Sequence, residues 1–270
     1  MRHHAFRSSV VALGALVLTA TPLFAQTAPE ADLVPELVTD RPDFTESSFA
    51  IAKGWFQLES GLSFEGDGPD ARAFTAPAAL VRIGLGFNTE LRLAGDGLVS
   101  QSFAGSRTSG FSDVEIGAKT QLLFHDRAGF DLAVLPAVSL PTGADGFSSE
   151  SVDPSVKITW GRDLPGGIGM TGNFNFASLT DDLGRFRQEA VSLSFGRGLT
   201  ANWSAYAEAY AFSRLGRGED AAMTLNGGFT RAVGSNIQLD IEAGRGVTSS
   251  APDWFVAAGF ALRGPIGRRR

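Results

Sequence analysis

From Trp55 onward the strongest signal along the chain has a period of two. In residues 55–65, Phe56, Leu58, Leu62 and Phe64 fall on one face and Gln57, Glu59, Ser63 and Glu65 on the other, as in a strand with one apolar side. The alternation recurs at 74–85, 90–99, 111–124, 130–141, 152–162, 168–178, 188–197, 203–213, 221–231, 236–245 and 253–262, so the pattern predicts twelve strands. Most approach the ~9–11 residues that a tilted strand needs to cross a bilayer and exceed the ~5–6 usual in globular sheets. No segment keeps the i, i+3, i+4 spacing of an amphipathic helix. Beyond residue 25 nothing approaches the ~20 apolar residues of a membrane helix.

The links between these segments are sorted by length. Those after even-numbered segments are tight: 86–89, 125–129, 163–167, 198–202 and 232–235. Those after odd-numbered segments are longer and rich in Gly, Ser and Asp: 66–73, 100–110, 142–151, 179–187, 214–220 and 246–252. Outer-membrane barrels have short periplasmic turns and longer outer loops, whereas a soluble sandwich has no reason to sort them. The faces agree. Val156, Ile158 and Trp160 oppose Lys157 and Thr159, and Ile237, Leu239 and Ile241 oppose Gln238, Asp240 and Glu242. Trp55, Trp160 and Trp203 fall at expected periplasmic strand ends and Trp254 at an outer end, where aromatic girdles sit. The fold class expected is therefore all-β, a single antiparallel transmembrane β-barrel of about 12 strands.

The start of the chain reads as an address. Arg2, His3, His4 and Arg7 precede an apolar run at 10–20, and Leu23, Phe24 and Ala25 end it in a small residue, the layout of a cleaved signal peptide at 1–25. The chain then divides into an N-terminal segment at 26–53, periplasmic and plug-like, and a barrel at 54–270. Removing the signal leaves 21 basic and 29 acidic residues, a surface ill suited to nucleic acid. The absence of Cys removes disulfides and thiolate chemistry.

Three residue runs carry a family likeness. Residues 39–47 (TDRPDFTES), containing Asp40, Arg41, Pro42, Asp43 and Glu46, lead through Lys53 and Gly54 into the first strand. Residues 113–119 read DVEIGAK and residues 135–143 read LPAVSLPTG. Together they resemble the outer-membrane family described as "putative MetA-pathway of phenol degradation", whose members are often labelled only as transporters. That resemblance implies a transporter barrel in the outer membrane of a Gram-negative bacterium, with small solutes, aromatic or hydrophobic compounds among them, as cargo. Its partners would be outer-membrane lipid and the barrel-assembly machinery, with no nucleic acid. The chain departs from the usual aromatic barrel terminus, since Phe260 and Leu262 are followed by RGPIGRRR.

Catalytic arrangements are missing from the sequence. His125 is the only His beyond the signal, so neither a His-based metal site nor a Ser–His triad has partners. There is no phosphate loop and no G-x-S-x-G elbow, so no enzyme, cofactor or metal is expected. What remains is the inward face. Strand parity assigns it Glu59, Arg82, Arg92, Asp96, Asp113, Glu115, Lys119, Asp153, Lys157, Glu208, Asp240 and Glu242, eight acids and four bases, with Gln57, Gln121, Asn173, Asn175, Tyr206, Tyr210, Asn226 and Gln238. Two readings stand: a polar, cation-preferring conduit for small solutes, or a non-conducting barrel stiffened by ion pairs whose business is at its outer surface. Asp240 and Glu242, with no base in their own strand, are the expected filter. For residues 26–53 the readings are a segment folded against the periplasmic mouth, with Arg41 on a lumen acid and Pro42 holding an extended path, or a loose leader.

Overall fold

The computed structural model describes residues 36–267. The expected signal peptide, residues 26–35 and the last three arginines lie outside the described residues. The strands are β1 (Trp55–Asp67), β2 (Ala71–Gly86), β3 (Thr89–Gly95), β4 (Leu98–Phe103), β5 (Ser106–Phe111), β6 (Val114–Leu123), β7 (Asp131–Leu140), β8 (Asp153–Leu164), β9 (Ile168–Asp181), β10 (Gly184–Gly198), β11 (Trp203–Phe212), β12 (Ala222–Val233), β13 (Ile237–Gly246) and β14 (Trp254–Pro265). One short helix, α1 (His125–Ala128), joins β6 to β7.

These make twelve barrel strands. Both β3 and β4 pair with β2, and their partners β6 and β5 follow each other in the chain, so each couple is one barrel strand interrupted once. Every pairing is antiparallel, and β1 bonds β2 on one side and β14 on the other, which closes the sheet. Closure is what lets a sheet live in lipid, because no row of backbone donors and acceptors is left without partners.

The wall is apolar outside and polar inside. Among the described residues the buried apolar side chains are few and mostly alanine, Leu135 and Pro42 being the larger ones, whereas Arg82, Lys119, Gln57, Glu59 and Glu90 are wholly buried. Leu193, Phe195, Leu225, Phe229, Leu239 and Val256 are exposed, and Ile241 is 56% exposed. In water this distribution would waste the hydrophobic effect; against acyl chains it is the stable one. At the rims arginines cap the girdle. Arg231 lies 5.5 Å from the Trp203 ring and Arg72 5.9 Å from that of Trp254, the snorkelling geometry of a cation at a headgroup boundary, whereas Trp55, expected in the girdle, shares the inward face of Gln57 and lies 5.3 Å from the inward Arg263.

The structure corrects several expected boundaries. Three links expected as long loops, 66–73, 100–110 and 179–187, are mostly strand: β1 and β2 meet at 68–70, β4 and β5 at Ala104 and Gly105, and β9 and β10 at Asp182 and Leu183. Ala104 and Gly105 both have positive φ (49° and 83°), as a two-residue hairpin turn of matching twist requires. Above the membrane both faces of a hairpin meet water, so polar residues occupy both and the apolar period that marks a strand disappears. Four of the six residues of β5 are exposed in an unbroken run, which is this case. The strand expected at 253–262 continues to Pro265, and Arg263 is nearly buried with its guanidinium on the carbonyls of Glu36 and Ser235.

Asp96 and Asp113, expected on inward strand faces, line the outer space of the lumen, but not from within a strand. They sit in the interruptions between β3 and β4 and between β5 and β6. There the ladder is patched by Ser112, whose N–H donates to the Gly97 carbonyl at 2.9 Å and whose hydroxyl accepts from the Asp96 N–H at 3.0 Å. Asp113 accepts the N–H groups of Thr142, Gly143 and Ser149 at 2.8–3.0 Å, pinning the β7–β8 loop to the wall. Those bonds hold its carboxyl below the ordinary range against the opposing effect of burial.

Protein extracted from membranes should migrate differently on gels when boiled and unboiled. Ile241→Arg, at the middle of β13 on the lipid side, should lower stability by about 2–4 kcal/mol, read from urea titration of the unboiled band, while Ile241→Val should cost far less. Equal stability of the Arg variant would show that this face does not meet lipid.

Candidate functional site: the barrel lumen

Residues 36–53 run across the inside of the barrel and bond to inward side chains from much of its circumference. Asp40 is the centre of one cluster. Its carboxylate takes Lys119 Nζ at 2.7 Å and Arg92 Nη1 at 2.6 Å, with Arg82 at 3.3 Å, and also accepts the Ser47 N–H and hydroxyl. Arg82 and Arg92 both donate to Glu90 at 2.8 Å, and Arg82 bonds Glu59 at 3.0 Å. Glu59 in turn accepts the Asp40 backbone N–H. Arg92 reaches Glu46 at 2.9 Å, and Lys157 binds the other oxygen of the same carboxylate. Burial by itself would raise both carboxyls, but Arg82, Lys119 and Arg92 hold Asp40 well below the usual range, and Arg92 with Lys157 brings Glu46 down to about 2. Asp40 and Glu46 therefore stay charged at neutral pH.

Backbone completes the attachment. Gln57 and Arg82 donate to the Val38 carbonyl, Arg82 also to that of Phe49, and the Ile51 N–H donates to Glu90. Across the lumen, Arg41 forms a salt bridge with Asp240 at 2.9 Å, and Gln238 donates to Thr39. Glu208 accepts the N–H groups of Phe44 at 2.9 Å and Thr45 at 2.7 Å, the Thr45 hydroxyl, and the Asn226 amide. Pro42, expected to hold an extended path, instead follows a cis peptide bond and begins a bend through Thr45 that turns the chain toward β11.

The expected filter also needs correction, since Asp240 is neutralised by Arg41, a base that arrives from the N-terminal segment and not from a neighbouring strand. Glu242 accepts from the Tyr206 hydroxyl at 2.9 Å and, like Glu115 and Glu208, has no salt bridge among the described residues. Asp43 lies near Glu208 and Glu242, and burial together with these like charges pushes its carboxyl well above the ordinary range. Two spaces flank the segment. An outer one of about 610 Å³ is lined by Asp96, Asp113, Glu115 and Asp153 with Phe147 and Phe186; an inner one of about 380 Å³ lies against Arg41, Asp43, Thr171, Ser194 and Tyr206. Asp153 is less free than its position suggests, since it accepts both the N–H and the hydroxyl of Thr180 and lies 3.6 Å from Arg185.

Two buried acids were missed by sequence reasoning. Glu90 is two residues before Arg92 on the same inward face, so the period that identified Arg92 could have found it. Asp131 caps the β6–β7 turn by accepting from the Gln121 amide and the His125 N–H, and as the first residue of its strand it carries no period of its own.

Comparison with solved structures gives the fold alone. A channel titled as the COG4313 outer membrane channel from Pseudomonas putida F1 is 14% identical with a TM-score of 0.60, over 80% of this chain and 98% of that one. The translocator domain of the autotransporter NalP from Neisseria meningitidis is 12% identical at 0.51, over 78% and 89%. The porin KdgM, solved with disordered oligogalacturonate, is 9% identical at 0.51, over 76% and 98%. No curated protein sequence matches. The family model described as "Putative MetA-pathway of phenol degradation" matches residues 39–264, beginning at Thr39, the first residue of the segment's bonded motif, and the chain belongs to that family.

Proposed function

We propose that the protein is an outer-membrane channel for the passive passage of small solutes, occluded at rest by residues 36–53 acting as a plug. The observation that carries this reading is the placement of the segment: it spans a polar lumen, with an open space on each side of it, and is held by side-chain bonds that leave the wall intact when broken. A loose leader would not satisfy Glu59, Glu90 and Glu208 with its backbone N–H groups. The family description and the porins and channels of like fold support passage of solutes, and the apolar ring residues of the outer space support aromatic or hydrophobic cargo. The second reading, a non-conducting barrel, draws on the density of ion pairs around Asp40, which stiffen one side of the lumen.

Selectivity follows from which charges are left uncompensated. The bases of the lumen are engaged by acids, whereas Glu115, Glu208 and Glu242 have no salt bridge among the described residues, so a conducting pore prefers cations. Deleting Thr39–Ser47 should raise single-channel conductance in planar bilayers while the protein still inserts. Unchanged conductance would remove the plug reading, and no conductance in either form would favour the structural barrel. In a salt gradient, Glu115→Gln with Glu242→Gln should move the reversal potential toward that of an unselective pore. Asp240→Asn should move it in the anion direction, because it leaves Arg41 without its counter-charge. An anion-preferring wild type would refute this charge assignment.

A further inference from the structure

The lumen face of β11 differs from every other inward face. It carries both tyrosines of the chain, Tyr206 and Tyr210, followed by Phe212, and so gathers three aromatic rings on one inward face. The Phe44 ring stacks on Tyr210 with centroids 4.6 Å apart and planes 24° apart, and meets Phe212 edge-on at 5.2 Å. Tyr210 and Phe212 are themselves edge-on at 6.0 Å, so they form a two-walled corner that a single ring fills. All three rings are half-buried, and β11 runs from the short-turn rim toward the outer loops, so this corner lies outward of the Glu208 bonds.

Glu208 supplies the second element. It is 4% exposed with the segment in place, and four of its contacts come from Phe44, Thr45 and Asn226, so displacing the segment uncovers the carboxylate and leaves it with the Asn226 amide alone. The uncovered acceptor offers a place to a donor carried by a solute, in competition with water. The covalent spacing is set by Phe44 itself, whose N–H is joined to its ring through Cα and Cβ.

We infer that this corner is a binding site for a single aromatic ring with a hydrogen-bond donor two carbons away, and that Phe44 occupies it as an internal competitor. A solute arriving from the outer space stacks on Tyr210, donates to Glu208, and displaces Phe44 together with the bend it belongs to. Binding and opening are thereby one event. The inference rests on the plug reading for its consequence, but the site can be tested without conduction.

The probe is 2-phenylethanol, with 2-cyclohexylethanol lacking the π face and ethylbenzene lacking the donor, titrated calorimetrically into the full-length protein in nanodiscs with empty nanodiscs subtracted. The wild type should bind 2-phenylethanol about three- to tenfold more tightly than either comparator, the range expected for one aromatic pair. Phe44→Ala, which vacates the corner, should tighten 2-phenylethanol by a similar factor, and Tyr210→Leu should abolish the preference for the phenyl ring. Equal affinity of the wild type for the phenyl and cyclohexyl probes overturns the site and needs no variant. Unchanged affinity in Phe44→Ala, with normal unboiled gel mobility, overturns the competition. If binding behaves as expected while deletion of Thr39–Ser47 leaves conductance unaltered, the site stands and the plug reading falls.

Discussion

Everything in this molecule follows from having no water along its outer wall. In hydrocarbon each backbone donor and acceptor must be matched within the chain, which forces β1 to bond both β2 and β14 and leaves no edge. The same environment turns the side chains inside out. With apolar groups committed to lipid, the polar half of every strand faces the lumen, and a lumen of twelve strands is narrow enough that its charges compete for little water.

Charges in such a space are stable only when countered. Arg82, Arg92 and Lys119 bring three positive charges to one side of the lumen, where the strands contribute Glu59 and Glu90. Asp40 and Glu46 from the N-terminal segment supply the remainder, and Arg41 answers Asp240 on the opposite side. The segment is thus the electrostatic complement of the wall. That gives the charges of Asp40, Arg41 and Glu46 a physical reason, since each is countered from the strands of the wall.

The barrel was legible because its period is enforced residue by residue. A strand with lipid on one side and a polar lumen on the other cannot lose its alternation for long, so the mid-membrane part of all twelve segments could be placed from the sequence. The parts that were hidden are those where this enforcement lapses. Residues 106–111 stand in water on both faces and read as loop, and the interruptions at Asp96 and Asp113 shift the parity on which their inward assignment relied. Ion pairing was legible within a hairpin, and for Arg41 only as far as some lumen acid. Glu59 and Arg82 face each other across β1 and β2, and their closeness could be anticipated from register, whereas the partner of Asp240 lies on a segment without periodicity. The two tyrosines were assigned to the lumen, but their stacking with Phe44 depends on a bend at Pro42 that no local pattern announces.

The bonds that fix the N-terminal segment also order events in time. Arg41 and Asp240 are 199 residues apart in the chain, and Phe44 and Glu208 are 164 apart. Contacts of such sequence separation form late, because the loop they close must be ordered first. The first described residues to emerge from the translocation machinery are therefore among the last to reach their final positions, after β11 and β13 have joined the sheet. Until then Arg82, Arg92 and Lys119 sit in a half-built wall without part of their counter-charge. That one side of the nascent barrel holds for the interval an uncompensated cation, open to any anionic segment that reaches it before its own.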